Sequence, residues 1–227
     1  MSMIELNHVS YTYRGRYQTV RAVNDVSMQF AQGTVYAILG KSGSGKTTLL
    51  SLLAGLDLPT DGEVCIDGVP TDKMDLDRYR REEASVIYQS YNLFPLLTVL
   101  ENVMYPMQLQ GVVKADAKAR AEEQLLSVGL RKEHFKRYPS MLSGGEQQRV
   151  AIARSLSIRP RIILADEPTG NLDVENSGNV MDILKSLAKE LNCCVIIVTH
   201  DGALAKKADV ICRMHDGSMT LDDEADE

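Results

Sequence analysis

Gly40-Lys41-Ser42-Gly43-Ser44-Gly45-Lys46-Thr47 is the stretch that decides the fold. It fits G-x-x-x-x-G-K-[ST] at every position, the pattern of a loop whose backbone N–H groups cradle the phosphates of a nucleoside triphosphate. Its surroundings agree with that reading. Thr34-Val35-Tyr36-Ala37-Ile38-Leu39 before it is short, apolar and β-prone, and Thr47 to Ala54 after it has the length and spacing of a helix. Strand, glycine loop and helix therefore arrive in the required order. Glycines at 40, 43 and 45 admit backbone conformations closed to residues with a Cβ, and the helix N-terminus adds its positive end. Lys46 supplies a point charge to the β and γ phosphates, and the Thr47 hydroxyl is placed to ligate Mg²⁺.

Composition sets the outer limits. A chain of 227 residues with 44% hydrophobic and 25% charged residues has ordinary globular make-up and is long enough for a substantial core. The net charge of −6 leaves no general basic footprint for nucleic acid. Cys65, Cys193, Cys194 and Cys212 lack C-x-x-C spacing, and the adjacent pair is expected on opposite faces of a strand, so the cysteines read as reduced core residues. Residues 1–6 show no secretory signal, and no window approaches 18 consecutive apolar residues. The chain is expected to be cytosolic, with any membrane role borrowed from a partner.

Outward from the loop, Ile4 to Tyr13 and Val23 to Phe30 alternate as half-buried antiparallel strands around the turn Arg14-Gly15-Arg16-Tyr17. Tyr13 precedes that turn, where an aromatic ring either stacks on a nucleotide base or packs on strand neighbours. Glu63 to Ile66 is a strand, Asp67-Gly68-Val69-Pro70 a turn and Asp75 to Glu83 a charged helix. Ser85 to Tyr88 is a short strand ending on Gln89, and a polar residue at the carboxyl end of a parallel strand lies where open α/β sheets bind ligands. From about residue 90 to 159 the pattern is helical: Thr98 to Gln110, the alanine-rich Lys114 to Val128, and a helix opened by Ser143-Gly144-Gly145-Glu146. His134 reads as a surface residue in a charged run. Arg161 to Ala165 is a buried strand ending on Asp166-Glu167, and two adjacent carboxylates there call for a cation or hydrogen bonds. With the phosphate loop in the same chain, they read as a metal carboxylate followed by a base. Val174 to Leu191 is a helix, Cys193 to Thr199 a buried strand ending on His200, Asp201 to Ala208 a helix, Asp209 to His215 a strand, Asp216-Gly217 a turn, and 222–227 a frayed acidic tail.

Together these residues resemble the nucleotide-binding subunit of an ABC transporter over essentially the whole chain. Gly40 to Thr47 looks like Walker A, Gln89 the Q-loop, Leu142 to Arg149 the family signature, Ile162 to Glu167 Walker B, Asn171-Leu172-Asp173 the D-loop and His200 the switch histidine. Tyr13 matches the aromatic A-loop position, which implies base stacking. The signature Leu-Ser-Gly-Gly-Glu-Gln-Gln-Arg separates this family from other P-loop proteins. The resemblance implies an α/β P-loop NTPase core (1–89 and 160–227) with a mainly parallel sheet, an N-terminal antiparallel β subdomain and an inserted α-helical subdomain (about 90–159). ATP and Mg²⁺ are the implied cofactors. Two copies would face head to tail, each ATP held by Gly40, Lys41, Ser42, Gly43, Ser44, Gly45, Lys46, Thr47 and Thr48 of one and Ser143, Gly144 and Gly145 of the other, with Asp173 linking the sites. Thr47, Gln89 and Asp166 would serve Mg²⁺, Glu167 would be the base, and His200 would position the attacking water. A separately encoded membrane permease would be the partner, placing the chain peripherally at the inner face of the cell membrane.

Leu97 to Val103, Pro168 to Asp173 and Val198 to Asp201 look like the macrolide-export and lipoprotein-release group, with antimicrobial-peptide systems as neighbours. A family member that regulates a membrane complex without transport, of the cell-division type, is the alternative. DNA-repair and chromosome-organising relatives carry a large insertion between Walker A and the signature, for which residues 48–141 leave room only for a compact helical lobe.

Overall fold

Apolar runs without alternation predict strands covered on both faces, and these runs form the centre of the molecule. The computed structural model describes residues 2–170 and 174–222. In it β3 (Val35–Leu39), β6 (Ala84–Ile87), β7 (Ile162–Asp166), β8 (Cys194–Thr199) and β9 (Val210–His215) are parallel. Antiparallel β10 (Ser218–Leu221) completes a six-stranded sheet in the order β10-β9-β3-β8-β7-β6. Successive side chains enter two different cores. Ile162, Leu164, Cys194, Ile196 and Val198 point into one, and Ile163, Ala165, Cys193, Val195 and Ile197 into the other. The cysteine pair thus divides between the faces as the period of two requires. All four cysteines are buried and unbridged, and burial pushes the Cys194 thiol up to about 12.

The first core is closed by a four-stranded antiparallel sheet in the order β2 (Thr19–Ala31), β1 (Ser2–Arg14), β4 (Asp61–Ile66), β5 (Val69–Pro70). Ile4, Leu6, Val23 and Phe30 from that sheet meet Leu49, Leu52 and Leu53 of α1 (Lys46–Leu53). The second core runs without a break from the central sheet into α3 (Val99–Leu109), α4 (Lys114–Ser127) and α5 (Gly144–Leu156). In α4, Ala117, Ala121 and Leu125 are buried at four-residue spacing, the stripe that its alanine-rich pattern predicts. Met181 and Leu184 of α6 (Val174–Glu190) cover the same sheet face from elsewhere in the chain. Thr98 and Ser143 open α3 and α5 with capping boxes completed by Glu101 and Glu146. Asp75 caps α2 (Leu76–Glu82) through the Arg78 N–H.

The structure departs from the sequence reading at five places. Val69-Pro70 belongs to a short strand paired with Cys65 and Ile66, beyond the turn at Asp67-Gly68. The helix expected from Asp201 to Ala208 is a single turn, α7 (Gly202–Ala205), capped by the Asp201 carboxylate. After Asp216-Gly217 the chain returns as β10. Asp222 is docked: its N–H donates to Ile211 O at 2.9 Å and its carboxylate meets Arg213 at 2.9 Å. The remainder of the acidic tail, 223–227, lies outside the described residues. His134, read as a surface residue, is buried. The loop that carries it folds against the start of α3, where Arg137 O and Phe135 O accept the Val99 and Leu100 N–H groups that no helical carbonyl can serve.

Candidate nucleotide-binding site

Parallel register brings four strand ends to one edge. β3 leads into the glycine loop, β8 ends on His200, β7 on Asp166 and Glu167, and β6 on Tyr88 and Gln89. These are successive neighbours, so their ends stand side by side at roughly 4.8 Å per strand. They open on a cleft of about 1200 Å³. Tyr13, the loop from Gly40 to Gly43 with Gly45 to Thr48, Gln89, Asp166, Glu167 and His200 all line it.

The loop is built by close approach. Gly45 caps α1 at φ 103°, and a Cβ there would lie 2.0 Å from Ala22 O. A Cβ on Gly40 would meet Met214 O at 2.4 Å. β2 and the end of β9 thus press on the loop from outside, and the Gly217 N–H donates to Ser44 O at 3.0 Å. Ser44 itself is buried beneath the loop and does not line the cleft. Lys46 is folded back over the loop, its ammonium donating to Gly40 O at 2.7 Å and Lys41 O at 2.9 Å. Those bonds use two of the three donors of an ammonium and hold its charge at the phosphate cradle.

Opposite the loop sit the carboxylates. Thr47 Oγ1 donates to Asp166 Oδ1 at 3.4 Å. Burial pushes the Asp166 carboxyl above the ordinary aspartate value, with the Glu167 charge adding to the rise and the Thr47 hydrogen bond opposing it. Strand alternation alone would send Asp166 and Glu167 to opposite faces. Glu167 instead takes φ 45°, a left-handed conformation uncommon outside glycine, and both carboxylates line the cleft. Its N–H donates to Val198 O and its carbonyl accepts from the Gly170 N–H, each at 3.0 Å. His200 Nδ1 lies 2.8 Å from Glu167 Oε1, and the Thr199 hydroxyl donates to Oε2 at 3.4 Å.

Thr47, Asp166 and Gln89 all line the cleft and offer hard oxygen donors, the set that suits Mg²⁺. Burial opposes ionisation of the Asp166 carboxyl, and a cation beside it would favour the charged form. Among the described residues no three His, Cys, Asp or Glu side chains converge as a metal cage. The residues therefore fit an ion bound by few protein groups and completed by phosphate oxygens and water.

Tyr13 lies at the rim. Its hydroxyl is 3.2 Å from Thr48 Oγ1 and its ring meets Tyr11 edge-on at 4.9 Å, while nearly half its surface stays exposed to the cleft. Ser143, Gly144 and Gly145 are not brought to this cleft; they open α5 in the helical lobe. Asp173 lies outside the described residues. Val20, Ala22, Arg213, Met214 and His215 line the cleft without having been expected there. The last three sit at the carboxyl end of β9, and the strand-end rule that found Gln89 and His200 would have found them.

A sequence-family profile described as ABC transporter matches residues 23–170. The lipoprotein-releasing system ATP-binding protein LolD of Legionella pneumophila (strain Lens) is 41% identical, with 92% of each chain covered. The methionine import ATP-binding protein MetN 2 of Enterococcus faecalis is also 41% identical, covering 91% of this chain and 60% of its own length. Among solved structures, the ATP-binding cassette MJ0796 of Methanocaldococcus jannaschii, dimeric in a post-hydrolysis state with ADP and Pi, superposes with a TM-score of 0.91. It is 38% identical, with 97% of this chain and 98% of that one covered.

Proposed function

The chain belongs to the ABC transporter family, and from that premise we propose that it is the ATP-hydrolysing subunit of a membrane transporter, of the macrolide, antimicrobial-peptide or lipoprotein-release kind. The observation that carries the ATPase reading is the meeting of the glycine loop, Gln89, Asp166, Glu167 and His200 along one sheet edge. The export reading rests on the motif resemblance at 97–103, 168–173 and 198–201 and on the lipoprotein-releasing relative.

Each residue has a role set by its surroundings. The loop N–H groups and Lys46 hold the triphosphate, and Tyr13 at the rim offers its ring to the base. Thr47, Asp166 and Gln89 hold Mg²⁺, which when bound offsets charge developing on the phosphate oxygens. Glu167 accepts the proton of the attacking water. The imidazole at Oε1 fixes the orientation of that carboxylate, and because a carboxylate accepts, Nδ1 carries the proton, which leaves Nε2 of the neutral ring as an acceptor for the attacking water. Ser143, Gly144 and Gly145 complete the site from a second copy, since they lie outside the cleft of their own chain. Asp173 links the two sites. Catalysis is then positioning and electrostatics assembled by closure.

No helix among the described residues is long and apolar enough to cross a membrane. In the proposed assembly the permease anchors the chain at the inner face of the membrane. A cavity of about 480 Å³ lined by Leu56, Tyr88, Pro106, Leu109 and Arg154 lies between the sheet edge and the lobe, and suits a short permease helix. Phe94 flanks it under the Arg154 guanidinium, 5.8 Å from its ring, and Phe94 and Leu96 are exposed, whereas Leu93 packs on the core.

Steady-state ATP turnover of the purified chain tests the proposal. Lys46→Ala should weaken ATP binding, and Glu167→Gln should retain binding while turnover falls by about 10²–10⁴-fold, the range for loss of a general base. Wild-type turnover in Glu167→Gln would remove Glu167 from that role. Import or release is read by reconstituting the chain with its permease in vesicles and following which side loses cargo.

A further inference from the structure

His134 is almost completely buried, and its partners connect it to the start of the signature helix. Its Nδ1 accepts the Arg131 N–H at 3.2 Å, which assigns the ring proton to Nε2. Nε2 lies 3.2 Å from Glu146 Oε1, and Glu133 is more distant at 3.8 Å. The other oxygen of the same carboxylate, Glu146 Oε2, accepts the Ser143 N–H at 2.8 Å and the Ser143 Oγ–H at 3.0 Å. Ser143 Oγ in turn accepts the Glu146 N–H at 3.3 Å. The two carboxylate oxygens have separate clients, the imidazole on one and the serine on the other.

We propose that His134 is a positioning residue for Ser143, acting through Glu146, and this rests on the reading of Ser143 as a group that meets ATP held by the other copy. A glutamate at the third position of a helix can swing away from its cap; the imidazole, itself fixed by the backbone, removes that freedom by occupying Oε1. Oε2 then stays over the Ser143 N–H and holds Oγ at the helix start. By drawing on the carboxylate charge, the Nε2–H bond also loosens the grip of Glu146 on the serine hydroxyl proton. That hydroxyl has to leave Glu146 before it can donate to a phosphate oxygen. The anchoring loop is rigid for a separate reason, since it caps the first turn of α3 through Phe135 O and Arg137 O. Position and hydrogen-bond state of the serine are therefore set by a residue that touches no nucleotide.

The test compares His134→Gln, which keeps an N–H donor, with His134→Leu, which keeps volume and loses it, each alone and combined with Ser143→Ala. ATP affinity of the isolated chain and thermal midpoints are measured beside turnover. His134→Leu should lower kcat by about tenfold, in line with loss of a hydrogen bond to a charged group, with ATP affinity unchanged and most of the rate recovered in His134→Gln. In the Ser143→Ala background the same substitution should add no further loss. An equal loss in both backgrounds, or full kcat in His134→Leu beside an impaired Ser143→Ala, would overturn the assignment of His134 alone. Full kcat in Ser143→Ala would overturn the reading beneath it. If His134→Leu does not fold, the wild-type chain decides the matter by two-bond ¹H–¹⁵N correlation of its imidazoles. A proton held on Nε2 that changes shift in Glu146→Gln supports the relay, and a proton on Nδ1 contradicts it.

Discussion

Two glycines of the phosphate loop have positive φ, yet the structure gives them different duties, and replacing each by alanine separates those duties. Gly43 has φ 81° and nothing within 4 Å of a built Cβ. Alanine there carries only backbone strain, about 1–2 kcal/mol. Gly45 has φ 103°, and its Cβ would stand 2.0 Å from Ala22 O and 2.8 Å from the Met214 methyl. The methyl can move, but the Ala22 carbonyl belongs to β2 and cannot. A Cβ essentially never approaches another heavy atom closer than 3.0 Å, so the loop has to retreat from β2 by roughly 1 Å in addition to the strain. Displacements of that size cost about 10²-fold where groups must converge. We therefore expect Gly45→Ala to lose about 2–4 kcal/mol of stability and at least tenfold in ATP affinity. Gly43→Ala should lose about 1–2 kcal/mol and much less affinity. Thermal unfolding and calorimetric titration with ATP read both quantities. Equal behaviour of the two variants, or wild-type affinity in Gly45→Ala, would refute the claim that approach of β2 shapes the loop.

The raised Asp166 carboxyl has a stability consequence. A carboxyl whose folded value lies above its unfolded one favours the fold while protonated, and that contribution is lost as pH rises from the ordinary aspartate value, 3.8, through the raised one. Without nucleotide, Asp166→Asn should melt higher than wild type at neutral pH and converge with it in acid, while losing the extra stabilisation that Mg²⁺ with ATP gives wild type; melting curves across pH check this. Asn102 is fully buried and bonds the Phe94 N–H and the carbonyls of Phe94, Leu97 and Thr98 at 2.8–3.1 Å. Asn102→Ala strands those groups and should cost roughly 2–4 kcal/mol by denaturant unfolding. Phe94→Asp should retain folding and ATP affinity but lose co-purification with the permease; retained co-purification would remove Phe94 from the docking surface.

The centre of the sheet was legible because β3, β7 and β8 are apolar runs, the last two leading into polar residues. What no linear pattern carries is their order. β3 and β8 are separated by most of the chain, and only their pairing sets Gln89, Glu167 and His200 beside the loop. Glu167 was recognisable as a carboxylate beside a strand end, whereas the left-handed backbone that turns it into the cleft was not. His134 was misread for a physical reason. Arg131-Lys132-Glu133-His134-Phe135-Lys136-Arg137 has the composition of a solvated surface, but its backbone carbonyls are recruited to cap α3, and that draws the imidazole inside. β10 escaped notice because four residues after a turn carry too little pattern, and its pairing with β9 gives it stability that its own sequence does not.

The claim on which the rest depends is that one chain holds half a site and a second copy closes it over ATP. Molar mass by light scattering behind size exclusion tests it directly, with Glu167→Gln used to keep the nucleotide intact. The account predicts 25.1 kDa without nucleotide, about twice that with saturating ATP, and reversion to the single-chain mass when Ser143→Ala is added to the same chain. A Glu167→Gln chain that binds ATP and still runs at its single-chain mass would contradict it.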